Sequence, residues 1–331
     1  MHYRRLGQTD LKVSVIGFGA WGIGGPAMVG NIPIGWGAVD DNISRKAIHI
    51  AVKKGINFFD TADFYGLGHS EKLLGQYFSK NWDGIILATK VGHRVSSDNK
   101  IILDYSKKYI KKACELSLKR LQKDVIDLYQ LHSAKLAHLQ AGECVEAMEE
   151  LKSEGKIRYW GISLNTFNPQ PEAEFLIKNH LGNVFQLVLN VINQRALSEV
   201  IPLAQKNKYG IIARMPLQFG VLTKSINRNK VFPIDDHRHF RLNPILNELH
   251  DKLDFFWDLA DKYNISPTTL ALSFILMQKG VTTAIPGIKT PEQAELNSNY
   301  LLNIQKEDLQ TIYDAYSSEL KYLVDKFEAL G

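Results

Sequence analysis

Three apolar runs in the first half of the chain stop on an ionisable residue. Ile56 to Phe59 stops on Asp60, Ile85 to Thr89 stops on Lys90, and the run from Val125 stops on His132. Tyr65 lies in the polar, glycine-containing segment just after Asp60. Brought together, these four side chains form a proton-handling set. A free tyrosine has a pKa of about 10 and gives up its proton reluctantly at neutral pH. An ammonium beside it lowers that value, and a carboxylate keeps the ammonium charged and positioned. A histidine can orient a carbonyl oxygen or relay the proton. The set can protonate an alkoxide as it forms. It lacks an obvious nucleophile and cannot itself supply a hydride, so redox chemistry here requires a cofactor.

For the four to meet, the runs must be strands whose C-terminal ends share one edge, the edge where parallel α/β folds carry their chemistry. Ile56 to Phe59, bounded by Gly55, reads as a buried strand. Ser70, ahead of Leu73, Leu74, Tyr77 and Phe78, reads as a helix N-cap with Glu71 in the first turn. Val13 to Gly19 reads as the first strand, with Gly17, Gly19 and Gly22 leaving room for a cofactor ring to approach the backbone. Gly22-Ile23-Gly24-Gly25 lacks the spacing and the capped helix of a dinucleotide fingerprint, which argues against a Rossmann fold. From Ser44 onward helical and strand patterns alternate. Further strands are expected at 157–162, 184–189, 210–214 and 281–285, with long helical patterns over 245–263 and 267–279. Eight strands alternating with helices predict an α/β chain folded as a single (β/α)8 TIM barrel over residues 1–331. A short hairpin within residues 1–12 would cap its base, and 305–328 would add a C-terminal helix.

The bulk numbers agree with a soluble globular chain. Of 331 residues, 45% are apolar and 23% charged, and the formal charge of +5 comes from scattered lysines and arginines. Scattered charge argues against a nucleic-acid partner. No run reaches the roughly 18 apolar residues of a membrane span. Cys114 and Cys144 are too few for a disulfide framework and sit in helical patterns, so buried thiols in a reducing, cytoplasmic setting are expected. The loop 25–42, carrying Trp36, and the polar loop 223–241 are long enough to be functional. His237 and His239 flank Arg238 without the carboxylate and third ligand a metal site needs. No metal is expected.

The segment Phe59-Asp60-Thr61-Ala62-Asp63-Phe64-Tyr65-Gly66, then Ala88-Thr89-Lys90, then Leu128-Tyr129-Gln130-Leu131-His132, resembles the aldo-keto reductase superfamily. The resemblance runs from Tyr3 to about Asn297. It implies an NADP-dependent oxidoreductase acting on an aldehyde, ketone or sugar, with NADP (NADPH) ahead of NAD as cofactor. Tyr65 would be the acid, Lys90 and Asp60 its tuning pair, and His132 the substrate-orienting partner. It further implies cofactor contacts from Gly19, Ala20 and Trp21, and from Ser163 and Gln186 on the carboxamide. Met215, Pro216, Leu217, Gly220, Leu222 and Lys224 would pass under the pyrophosphate. Gly287, Lys289, Gln293 and Asn297 would hold the adenosine phosphate. The chain departs from the family pattern at three places. Leu164 stands where asparagine usually follows the strand-five serine, with Asn165 one place later. Leu189 replaces an aromatic before Asn190, and Leu296 replaces an acid. Two other readings resemble known uses of the fold: a regulatory subunit like the potassium-channel β subunits, and an aldolase using Lys90 as a Schiff-base nucleophile. The sequence names neither the substrate nor the oligomeric state.

Overall fold

The computed structural model describes residues 1–79, 81–234 and 236–330. Eight parallel strands form the centre: β1 (Phe18–Gly19), β2 (Phe58–Asp60), β3 (Ile86–Val91), β4 (Ile126–His132), β5 (Ile157–Ser163), β6 (Val184–Val188), β7 (Gly210–Arg214) and β8 (Thr283–Ile285). They are hydrogen-bonded in sequential order from β1 to β8. The ring closes through bridges between Ile16 and Ala284 and between Gly19 and Gly287. Helices follow the strands in turn: α1 (Asp41–Lys53), α2 (His69–Phe78), α3 (Lys107–Leu121), α4 (Glu143–Ser153), α5 (Gln170–Lys178), α6 (Val200–Lys206), α7 (Pro267–Leu276) and α8 (Pro291–Asn297). This is the expected (β/α)8 barrel.

Side chains alternate along a strand, so every second residue faces the barrel interior. That period builds two layers. Phe58, Ala88, Leu128, Val184, Ile212 and Ile285 form a buried apolar layer with Leu6, Leu11 and Val13. The hairpin of the antiparallel strands Tyr3–Arg5 and Lys12–Ser14 supplies these three, Val13 from its second strand and Leu6 and Leu11 from its connection, and closes the base, as expected. Two residues further along the same strands come Asp60, Lys90, Gln130, Gln186 and Arg214. The second layer is polar because it lies at the mouth.

Several boundaries differ from the sequence expectation. Val13 to Gly19 is not one strand: Lys12–Ser14 belongs to the base hairpin, and the barrel strand is only Phe18–Gly19. Ser70 does not cap α2. Gly68, in the left-handed conformation at φ 95°, precedes that helix, and Ser70 is buried inside it. Helix α1 starts at Asp41, with Asp40 accepting from the backbone N–H of Asn42 and Ile43. The pattern over 245–263 is two helices, Leu246–Asp251 and Asp254–Lys262. The C-terminal helical segments run from Lys306 to Ala329. Cys114 and Cys144 are both free and buried, and burial raises their pKa to about 12 and about 11. Among the described residues no helix is long and apolar enough to cross a membrane.

Candidate active site

The strand register brings Asp60, Lys90 and His132 to one end of the barrel, and the loop after β2 adds Tyr65. Gly19 pairs with Asp60, Asp60 with Ala88, Lys90 with Gln130, His132 with Ser163, and Ser163 with Gln186. Asp60 and Lys90 are buried, and Lys90 Nζ donates to Asp60 Oδ1 at 2.5 Å. The same ammonium donates to the Thr61 carbonyl at 2.9 Å and to the Tyr65 hydroxyl at 3.2 Å. An ammonium has three donors and no lone pair, so all of Lys90 is committed. Tyr65 oxygen is the acceptor in its contact with Lys90, which leaves its own O–H free to donate elsewhere.

Asp60 is satisfied from several directions. Gln130 Nε2 and Gln186 Nε2 donate to Asp60 Oδ2 at 3.2 and 2.9 Å. The resemblance gives Gln186 to a cofactor carboxamide, but here its amide N–H groups serve Asp60 and Gln130. Gln130 stands in the motif Leu128 to His132, where the sequence gives it no role of its own. Its inward register beside Lys90 was the signal for one.

The loop carrying Tyr65 is fastened at both ends. The Thr61 and Ser70 hydroxyls lie 2.8 Å apart, and Ser70 Oγ donates to the Ala20 carbonyl. The Asp63 N–H donates to the Lys90 carbonyl. Gly66 has φ 60°, and a Cβ there would lie 2.0 Å from Gly24 O. Below the loop, buried Glu71 accepts from Thr89 Oγ1 at 2.5 Å and from Arg120 Nε at 2.6 Å. Glu71 stands in the first turn of α2 as expected, and it is also the tie between α2, β3 and α3.

The electrostatics correct one expectation. Burial raises the Tyr65 pKa, and Lys90 and Arg214 oppose that without reversing it. Lys90 acts to lower the tyrosine as expected, but burial outweighs it and the net shift is upward. Burial acts to lower Lys90, but Asp60 and Tyr65 outweigh it and the lysine is raised. His132 falls well below the usual histidine value, through burial and then the neighbouring His93, Lys90 and Arg214. It is therefore neutral at neutral pH, and its Nδ1 has no partner among the described residues. His93, which the sequence reading left without a role, sits with its ring 4.5 Å from His132 and is lowered by burial to about 4.

Aromatic side chains wall the mouth. Trp21 stacks on Tyr65 at 5.9 Å and meets Trp36 and His237 edge-on at 5.2 Å. Trp36 also approaches Phe219, and Arg238 lies 5.0 Å over the Trp36 ring. The loops 25–42 and 223–241 thus interlock above the site.

The remaining expected cofactor residues divide. Gly19 is required by the protein itself, since a Cβ there would lie 2.7 Å from Pro286 O. Gly17 is likewise packed, against Phe58 and Ile285, whereas a Cβ at Gly22 would meet only the Lys289 side chain at 3.4 Å, an ordinary contact. Gly287 is different: a Cβ there would meet nothing within 4 Å. Lys289 beside it is half-buried, and its ammonium lies 3.5 Å from the Trp36 carbonyl. Burial and nearby Arg238 lower its pKa. Gln293 accepts from the Lys289 backbone N–H, and Asn297 donates to the Gly287 carbonyl, so both shape this turn. Met215 has φ 53°, and its carbonyl accepts from Asn190. Pro216 and Leu217 follow it, and Gly220 has φ 95°. Leu222 is in the core, and Lys224 packs over Trp257 at 5.8 Å.

The three departures stand in different settings. Leu164 and Leu189 are both fully buried, while Asn165 caps a turn by accepting from Phe167 and Asn168. Arg214, which was read only as a strand end, donates to the Leu164 carbonyl. The Leu189 N–H in turn donates to the Arg214 carbonyl. Leu296 is exposed.

A buried Lys–Asp pair holding a tyrosine at the mouth of a (β/α)8 barrel defines a class, and comparison with known proteins agrees. The sequence model of the Aldo/keto reductase family matches residues 15–317. An NADH-specific methylglyoxal reductase of Escherichia coli is 31% identical, over 92% of this chain and 94% of that protein. A glycerol dehydrogenase of Gluconobacter oxydans shares the fold with a TM-score of 0.80 and 27% identity, covering 96% of this chain and 95% of that one. An aldo/keto reductase of Klebsiella pneumoniae, solved in complex with NADP and acetate, gives a TM-score of 0.69 at 25% identity, covering 95% of each chain. The chain belongs to the aldo/keto reductase family, whose members are oxidoreductases that use nicotinamide cofactors on small carbonyl compounds.

Proposed function

We propose that the protein transfers a hydride between NADP(H) and an aldehyde, ketone or sugar carbonyl, with Tyr65 as general acid in reduction and general base in oxidation. One observation carries this reading: the Tyr65 hydroxyl accepts from a lysine that is itself locked to Asp60. The tyrosine proton is thereby free to move to a substrate oxygen. Lys90 stays cationic and steadies the phenolate left behind, and Asp60 holds Lys90 in place. Neutral His132 offers a ring nitrogen to the same oxygen. The nicotinamide, when bound, supplies the hydride. Hydride to carbon and proton to oxygen together turn the carbonyl into an alcohol. A lysine raised in pKa and fully committed as a donor is a poor Schiff-base nucleophile, which disfavours the aldolase reading.

The site suits a nicotinamide nucleotide on its own residues. Open space over Gly287, a half-buried cation at Lys289 and the N-terminus of α8 are adjacent, and a helix N-terminus favours phosphate. Lys289, with Arg238 close by, favours the 2′-phosphate of NADP. Lys289→Ala should then weaken NADPH binding by ~1–3 kcal/mol and barely touch NADH. Titrating both cofactors into both proteins decides it, and equal losses for the two would assign Lys289 elsewhere.

The deciding experiment is a panel of carbonyls and sugars with NADPH or NADP⁺, followed at the nicotinamide absorbance, for wild type and Tyr65→Phe. The variant should bind cofactor and lose ~10²-fold or more in turnover. Unimpaired turnover in Tyr65→Phe would remove Tyr65 from the mechanism. No turnover by wild type with any member would favour a regulatory subunit.

A further inference from the structure

We propose that Arg214 forms an anion-reading subsite, so that the preferred substrate is a carbonyl compound carrying a carboxylate or phosphate group near the reacting carbon. The inference rests on the reading of Tyr65 and His132 as the carbonyl end of the site.

Arg214 ends β7, two positions beyond inward-facing Ile212, so strand alternation places it in the polar layer with Lys90, Gln130 and Gln186. Its bonds to Leu164 and Thr166, just past the end of β5 at Ser163, place the guanidinium at the mouth. Nη2 is anchored to the Leu164 carbonyl at 3.2 Å and to Thr166 Oγ1 at 2.9 Å. The rest of the fork is poorly satisfied. Nη1 meets only the Met215 thioether at 3.3 Å, a weak acceptor, and Nε is buried with no partner among the described residues.

Among the described residues no carboxylate is bonded to this arginine. The acid that acts on it is Asp60, which already accepts from Lys90, Gln130 and Gln186. His132 is neutral. Lys90 and Arg214 against Asp60 therefore leave the layer with an excess positive charge. Burial lowers the Arg214 pKa, but a guanidinium remains charged in proteins. A cation held in low dielectric with idle donors is stabilised by an anion. A neutral carbonyl substrate leaves it unpaired, while an anionic one pairs it and is drawn into register with Tyr65.

The test compares wild type, Arg214→Met and Arg214→Lys on aldehydes of one carbon skeleton that end in a carboxylate, a phosphate monoester or a hydroxyl. Wild type should prefer an anionic member, and whichever anion gives the larger preference identifies the group. The anionic-to-neutral ratio of kcat/KM should fall roughly tenfold or more in Arg214→Met and be partly restored in Arg214→Lys. No preference in wild type, or the same ratio in Arg214→Met, overturns the proposal. An unchanged ratio with lost NADPH affinity also overturns it and assigns the arginine to the cofactor. A second arm needs no turnover: the NADPH-loaded protein is titrated with propionate and with inorganic phosphate by calorimetry. Arg214-dependent binding in a protein that reduces no carbonyl upholds the subsite and defeats the reductase reading. Turnover without Arg214-dependent charge preference does the reverse.

Discussion

Lys90 is a fully buried ammonium that stays charged because Asp60 lies 2.5 Å away. Removing one member of such a pair leaves the other uncompensated, so the two act as a unit. Lys90→Met and Asp60→Asn should each impair turnover. The double variant should lose less than the product of the two single effects. Steady-state kinetics on the four proteins measures this, and strict additivity would separate the residues. The histidines add a pH dependence. His93 titrates at about 4 in the folded protein against about 6.5 when free, so the unfolded chain binds its proton first as pH falls. Its contribution to stability is complete above about 6.5 and drains away toward 4. Denaturant midpoints across that window should fall less steeply in His93→Gln than in wild type.

At the scale of elements, the loop between β2 and α2 sets where the Tyr65 hydroxyl stands. Its far end rests on Glu71, whose carboxylate is buried and joins Thr89 of β3 to Arg120 of α3. Glu71→Gln keeps an acceptor for Thr89 but leaves the Arg120 guanidinium without its charge partner. Breaking a pair of this kind should cost ~2–4 kcal/mol, discounted because Arg120 is part-exposed. Urea unfolding of the variant measures that cost, and turnover should fall with it as the loop loosens. Wild-type stability in Glu71→Gln would show that the loop is held by Ser70 and Thr61 alone.

The whole molecule depends on closing the ring between β1 and β8. Gly19 donates to the Pro286 carbonyl, and a methyl group there would lie 2.7 Å from that oxygen and 2.9 Å from Ile285 O. Both obstacles are backbone, so relief requires moving a strand. Gly19→Ala should destabilise by ~1–3 kcal/mol or more and lower Tm by several degrees. A Tm equal to wild type would mean that the junction yields, and would return Gly19 to the cofactor side.

The sequence by itself determined the barrel and the four ionisable residues that meet at its mouth, because both rest on local signals. Short apolar runs bounded by polar and glycine-containing segments mark buried strands, and an ionisable residue ending each run marks the mouth. The same rule reached Arg214, at the end of Gly210–Arg214, but one charge among many in a chain with 40 basic residues carries no meaning until its partners are known. Only the tertiary structure decided those partners. It turned Gln186 toward Asp60, packed Gly17 and Gly19 against neighbouring strands, and made the helix-start acid Glu71 a buried tie as well. It also set the sign of the Tyr65 shift. A neighbouring lysine is legible in a motif, whereas the loss of water around a phenol is a property of every element packed against it, and here that loss outweighs the ammonium.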